Sequence, residues 1–263
     1  MHPRGGLARR ASAIETERQL HDHVLLLDAG NSILGGWERD YESKARLMVG
    51  AMNRMAYDAL AVGEGELRLG SEGLLKIMEE ADYPFLSANL ALGEGGPLLA
   101  QPYTLLQVEG HQAAIIGVTA PEDIDIHQLK EGEIGVLDPL ESVRRQVDAV
   151  KAQAQVIIVL SRLGLEMDQK LAREVRGIDL IVGGRSGRNL QEPMRDEATG
   201  TVIVQARKRG ESLGIIDLEL DQQGRIASYK GRNLVLDDEI TEDPEMSAWL
   251  QSVQRTATPE PCQ

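Results

Sequence analysis

The sequence predicts an α/β fold, and three observations carry that expectation. Four apolar runs, near residues 23–30, 58–63, 156–161 and 178–183, each stop at a polar loop that contains glycine. Between them lie stretches whose apolar residues recur at helical spacing. The two kinds of segment alternate along the chain, with no internal repeat and no low-complexity block, as in a layered α/β protein.

Taken in order, residues 7–20 have helical spacing and mixed charge, and "HVLLLDAG" (23–30) reads as a buried strand. Residues 41–57 form an amphipathic helix with Leu47, Ala51, Met52 and Met55 on one stripe. A short strand at 58–63 runs into the loop Gly63-Glu64-Gly65-Glu66, residues 71–81 are helical, and "PFLSANL" (84–90) is a strand in which Asn89 caps the end. Residues 103–121 read as a hairpin turning at Glu109-Gly110. Asp138 and Pro139 mark a helix start by N-cap and first-turn chemistry, predicting a helix over 138–153. "AQVIIVLSRLG" (154–164) and "GIDLIVGGRSG" (177–187) are strand-to-loop units separated by a short helix at 166–175. Residues 200–226 supply a strand, a loop and a hairpin with its turn at Gln222-Gln223-Gly224. After Pro244 the sequence predicts one helical turn, then a disordered tail.

Composition narrows the function classes. With 263 residues, 42% hydrophobic and 27% charged, the chain can bury one large core or two small ones. A net charge of −14 opposes nonspecific contact with nucleic acid or anionic membrane. Aromatics at 3% make a base-stacking surface an unsuitable reading. No apolar run is long enough to span a bilayer. The single cysteine, Cys262, excludes an internal disulfide and a cysteine metal cluster. The basic start "MHPRGGLARR" is not followed by a signal-peptide apolar stretch. Cytoplasm is therefore expected if Met1 is the native start, and the compartment is otherwise unknown.

In open α/β sheets, sites gather at the carboxyl ends of strands. Each of the four loops there can be read alone as a tight turn, but four together ask for another explanation. Segment by segment, "GGLARRASAI", "LLLDAGNSILG", "MNRMAYDALAVGEGE", "FLSANL", "VIIVLSRLG", "GIDLIVGGRSG" and "TVIVQARKRGESLGIIDLEL" resemble, in order and spacing, the 5′-nucleotidase branch of the calcineurin-like metallophosphoesterases. The resemblance covers about Gly5 to Asp243. It implies a metallophosphoesterase-like sandwich of two mixed β-sheets flanked by helices over residues 1–243, with an early strand missing and a short tail at 244–263.

The departures from the family pattern lie where its chemistry resides. The family holds two divalent metals on Asp, His and Asn side chains. Its first motif, Asp-x-His, has no counterpart in this sequence. Asn31 stands where the family has the metal-bridging Asp, Glu64 where it has a ligand Asn, and Gly65 where it has the catalytic His. Arg68 falls where an Asp orients that His. Arg162, Arg185 and Gly187 replace three further histidines. Two-metal phosphoester hydrolysis needs a bridging carboxylate and neutral imidazoles to hold the ions. Arginine has no lone pair to offer and stays charged. The five histidines, His2, His21, His23, His111 and His127, occupy none of the ligand positions; His21 and His23 are expected on an exposed connection. No catalytic residue, metal ligand or cofactor is therefore assigned.

The expected occupants of the degenerate pocket are Asp28, Asn31, Glu64, Gly65, Glu66, Arg162, Arg185 and Gly187. Unpaired buried acids are costly, so Arg162 and Arg185 are expected to point inward and pair with at least one of Asp28, Glu64 and Glu66. Two alternatives stand beside that plug. Arg162, Arg185 and Arg188 could hold a small anion, or one rearranged metal could sit on Asp28, Asn31, Glu64 and Glu66. The basic loop 207–210 reads as solvated or as a local anion patch. Family members of this branch commonly carry a second domain that grips the nucleoside, and this sequence stops before one. The resemblance with its losses implies a non-catalytic interaction or scaffold module, as a homo-oligomer or with a protein partner covering the incomplete sheet edge. The alternative is a phosphoester hydrolase with an altered metal site.

Overall fold

The computed structural model describes residues 4–33, 40–120, 132–187 and 190–257. The expectations for Pro121, His127, Arg188 and Cys262 lie outside those residues. No helix among the described residues is long and apolar enough to cross a membrane.

Helix α1 (Leu7–Leu20) leads into strand β1 (Leu27–Asp28), then α2 (Tyr41–Arg54), β2 (Ala59–Ala61), a one-turn helix α3 (Glu64–Leu67), α4 (Gly70–Glu79) and β3 (Phe85–Leu86). These three strands form a parallel sheet in the order β1-β2-β3. Strands β4 (Leu90–Leu92) and β7 (Ile134–Val136) pair on their own, antiparallel. The second sheet has six strands in the order β10-β11-β9-β8-β6-β5. They are β5 (Tyr103–Val108), β6 (His111–Thr119), β8 (Val156–Arg162), β9 (Leu180–Gly183), β10 (Met194–Arg195) and β11 (Val202–Gln205). Helices α5 (Pro139–Val150) and α6 (Leu165–Glu174) connect its parallel strands. A long hairpin, β12 (Ser212–Leu220) with β13 (Ile226–Val235), and helix α7 (Pro244–Ala257) complete the described chain.

Side-chain alternation explains the layering. Along β8, Ile157 and Val159 pack with Val143, Val147 and Leu171 of α5 and α6, while Ile158 and Leu160 face the other sheet. Both faces of β8 are buried, which is why its sequence shows no polar alternation. Along β2, Leu60 and, one residue past the strand, Val62 meet the α1, α2 and α4 side, while Ala59 and Ala61 meet the second sheet. Small residues on that inner face let the sheets approach closely. At Gly117 of β6 a Cβ would lie well inside contact distance of the Leu86 carbonyl oxygen, and the Gly117 carbonyl accepts from Ala88 N at 2.8 Å.

The helix starts follow their capping chemistry. The Asp138 side chain accepts from Glu141 N at 2.8 Å with Pro139 in the first turn, and Asp40 caps α2 by accepting from Ser43 N. Among the elements that differ from the sequence reading, β7, β10, α3 and most of β13 are absent from it, and three others have a traceable cause. The apolar run 23–30 pairs as a strand only at Leu27–Asp28, because the Leu26 amide is taken by the Asp58 carboxylate at 2.7 Å. The strand expected at 84–90 divides into β3 and β4, around Ser87 and Asn89. The expected single turn after Pro244 is a helix of 14 residues, with Met246, Trp249 and Leu250 packed in the core of the first layer and the Arg54 guanidinium 4.2 Å from the Trp249 ring.

The Gly117 contact yields a stability test. Gly117→Ala forces a methyl group into backbone, so it should lower unfolding free energy by about 2–4 kcal/mol, at or above the usual overpacking cost. Denaturant unfolding at fixed m-value measures it.

Candidate functional site

The carboxyl ends of β1, β2, β8 and β9 meet, and the first two of the loops that leave them are held by a single carboxylate. Glu66 lies in the one-turn helix α3 and is fully buried. Its Oε2 accepts from Asn31 N and Gly63 N, each at 2.8 Å, and its Oε1 from Ser32 N and Ile33 N, each at 3.0 Å. Four backbone donors on two oxygens weld the loop after β1 to the loop after β2. Burial raises the Glu66 pKa above the ordinary carboxylate value, against the pull of the amides of Ile33, Asn31 and Gly63. Asn31 sits in the left-handed region at φ 66°, a conformation asparagine tolerates better than most side chains.

The other acids have separate partners. Asp28 accepts from Gly30 N at 2.9 Å and from the Ser32 hydroxyl at 2.8 Å. Glu64 takes Arg162: Nη2 donates to its Oε1 at 2.6 Å and Nε to its Oε2 at 3.3 Å. The third arm of the guanidinium, Nη1, donates to the Gly184 carbonyl. The Arg162 stem passes the loop after β1, where a Cβ on Gly30 would lie 3.2 Å from its Cγ. Gly184 is equally tight, since a Cβ there would meet Ala29 at 2.9 Å and Arg162 Nη1 at 3.2 Å. Arg162 therefore threads from the end of β8 past the loops after β1, β2 and β9. Its side chain is 6% exposed and that of Glu64 is 23% exposed. Arg185 donates from Nη1 to the Leu163 carbonyl at 3.1 Å.

Of the plug expected from sequence, the contact of Arg162 with Glu64 is present. Glu66 binds backbone amides, and Asp28 binds an amide and a hydroxyl. Glu66 lies three residues after Gly63 at a helix start, within reach of the Gly63 amide of its own turn and of the Asn31, Ser32 and Ile33 amides in the loop after β1. Gly65 is buried within α3, and Gly187 holds φ 62° at the end of the loop after β9. Arg188 lies outside the described residues. His21 and His23 are exposed, near Asp217 and Glu109 respectively. The loop at 207–210 closes as a short turn with Arg209 at φ 64°.

The residues do not fit the paired metals of the family. Both Glu66 oxygens carry two amide bonds, Glu64 is bound to a cation, and Asp28 is bound to Ser32. Among the described residues no three His, Cys, Asp or Glu side chains are grouped to hold a metal ion. No chemical step through a metal follows from this donor set.

Several residues that shape the site are not recognisable as site residues in the sequence. Asn89 is fully buried and bridges strand ends, donating to the Thr119 carbonyl at 2.8 Å and accepting from Thr119 N at 3.0 Å. Thr119 Oγ1 in turn donates to the Val62 carbonyl. Ser161 Oγ donates to Asp168 Oδ1 at 2.5 Å, and Ser186 Oγ to Gln205 Oε1 at 2.8 Å. For Asn89, Thr119, Ser161 and Gln205 the available signal was a polar residue within or at the end of an apolar run.

Loops converging at the carboxyl ends of two packed, partly parallel sheets define a phosphoesterase-type α/β sandwich. Comparison with known proteins places it more closely. No family model matches the chain. Human 5′-nucleotidase is 33% identical over 93% of this chain and 46% of its own length, and the snake venom 5′-nucleotidase of Crotalus adamanteus 32% over 93% and 45%. The 5′-nucleotidase precursor from Thermus thermophilus superposes with a TM-score of 0.86 at 29% identity, covering 97% of this chain and 54% of that one. The calcineurin-like phosphoesterase YfkN of Bacillus subtilis shares the fold, with a TM-score of 0.81 at 24% identity over 96% of this chain and 89% of its own. In sequence the chain is similar to 5′-nucleotidases, and it has the fold of the calcineurin-like phosphoesterases, corresponding to an N-terminal domain. It spans about half the length of the curated relatives it matches.

Two expected outcomes follow from the geometry. Glu66→Gln leaves one acceptor oxygen for four amides and sets an NH2 against two of them; it should destabilise by about 2–5 kcal/mol, from two orphaned buried donors. For the ion pair, Glu64→Gln should cost more than Arg162→Met, because the orphaned guanidinium is buried while the orphaned carboxylate can reach water. The double variant should cost at least about 1 kcal/mol less than the sum of the singles. Urea unfolding of Glu66→Gln and of the four proteins in the cycle measures both.

Proposed function

We propose that this domain is a non-catalytic metallophosphoesterase-like module that works through interaction, with its former metal pocket closed by the Arg162–Glu64 pair. One observation carries the reading: Arg162 threads past Gly30 and spans from Glu64 to the Gly184 carbonyl. A fixed positive charge there repels a dication and occupies the acid that would hold it. The replacement of imidazoles by Arg185 and Gly187, and of the bridging carboxylate by Asn31, supports the same reading, since the donor chemistry is lost at several positions together.

Assembly is the second half of the reading. A second copy or a protein partner would use the sheet edges, where β1 and β5 are outer strands of their sheets. The competing reading is a phosphoester hydrolase of the 5′-nucleotidase kind with an altered metal site, and the names of the relatives favour it. A third possibility, a small anion beside Arg162 and Arg185, would leave the Arg162–Glu64 pair in place.

Protein purified without chelator should contain no stoichiometric transition metal, and should not hydrolyse AMP with added Mn²⁺ or Zn²⁺. Two bound metals per chain, or metal-dependent turnover abolished by Asn31→Ala, would establish the hydrolase reading instead. Sedimentation across a wide concentration range should show self-association, or a monomer that a protein partner captures through β1 or β5. A monomer whose β1 and β5 amides no partner protects would remove the assembly half.

A further inference from the structure

We propose that Asp168 is a protonation switch beneath the two loops that carry Arg162 and Arg185: its neutral form seats them, and its carboxylate loosens them. The inference is independent of whether the domain turns over a substrate. Asp168 lies in the first turn of α6 and is fully buried. Its Oδ1 accepts from Ser161 Oγ at 2.5 Å, and Ser161 Oγ itself accepts from Leu163 N at 3.1 Å. Among the described residues Oδ2 is a buried atom with no hydrogen-bond partner.

That oxygen is aimed at the second loop. A Cβ built on Gly183 would lie 2.7 Å from Asp168 Oδ2 and 3.3 Å from Gln205 Oε1, so two acceptor oxygens converge over one Cα. Gln205 Oε1 accepts from Ser186 Oγ at 2.8 Å, and Gly184 N donates to the Ser161 carbonyl at 2.9 Å. A proton on Oδ2 makes a donor on the side where a second acceptor oxygen, Gln205 Oε1, also lies. Its loss leaves an unsatisfied buried charge whose cost falls on Ser161, Gly183 and Gln205, and through them on both loops.

The charged groups on the surrounding elements do not cancel that cost. Arg162 at the end of β8 pulls the Asp168 titration down but is engaged by Glu64 and the Gly184 carbonyl. Arg185, in the loop after β9, donates to the Leu163 carbonyl, and Arg207 follows β11 with a buried Nε. On α6 itself Glu166, Lys170, Arg173 and Glu174 are exposed. Burial outweighs these influences and pushes Asp168 up to about 7. An opened site would return it to the ordinary carboxylate range. The closed form therefore binds the proton more tightly, and opening becomes easier as pH rises between the two values, then levels off.

Amide hydrogen exchange on the whole chain, expressed as protection relative to the unstructured rate at each pH, tests the switch. Protection of the Leu163 and Gly184 amides should fall about tenfold or more between about pH 5 and pH 7 and then flatten. In Asp168→Asn, which mimics the neutral acid, it should stay level. Level protection in the wild type, or an equal fall in the variant, would overturn the proposal. If the variant does not fold, the wild-type Asp168 carboxyl carbon is followed by NMR. A midpoint near neutrality shared with the Leu163 and Gly184 amide shifts supports the switch, and a midpoint in the ordinary carboxylate range defeats it.

Discussion

The site rests on one buried carboxylate. Glu66 gathers the amides of Asn31, Ser32, Ile33 and Gly63 on its two oxygens, and so fixes the loops after β1 and β2 relative to each other. Over these residues neither loop has regular structure beyond the single turn of α3. Without that carboxylate the buried amides of Ile33 and Gly63 and the half-buried amides of Asn31 and Ser32 would lose their partner, each buried one at a cost comparable to a lost hydrogen bond. An anion that satisfies all four is an internal substitute for the ligand or water such loops commonly hold.

Arg162 adds the second tie, and it works only because the surrounding backbone is stripped of side chains. Gly30 and Gly184 leave room for its stem and its guanidinium, and Glu64 supplies the counter-charge. Within this fold, the loops that meet here are therefore tied by a guanidinium. A planar guanidinium can bond a carboxylate with two arms and a carbonyl with a third. It thus links the loops that meet here, a mechanical role that a metal ion also fills, while supplying no Lewis acid and no activated water.

Behind these loops the strand ends are joined by polar bridges. Asn89, Thr119 and the Val62 carbonyl tie the segment after β3 to the ends of β6 and β2, and Ser161, Asp168, Gln205 and Ser186 lie under β8, β9 and β11. The loops are thus positioned from below by the sheets and from above by Glu66 and Arg162. Substitutions in either set reach the same backbone, so effects on the site and on stability are coupled.

Much of the fold was legible in the sequence, because a buried strand between helices leaves a run such as "VIIVL" that little else explains, and Asp138-Pro139 is a helix start by local chemistry alone. The extent of β1 and of α7 was not. The first depends on Asp58 taking the Leu26 amide, and the second on Trp249 and Met246 finding a distant core. Sequence alone determined which charges the site has to place: Asp28, Glu64, Glu66, Arg162 and Arg185. Only the tertiary structure decided which pairs with which, sending Arg162 to Glu64, Glu66 to four amides and Asp28 to Ser32. Hydrogen-bond partners are settled within a few tenths of an ångström, by backbone that different loops bring together, and no spacing along one chain encodes that distance.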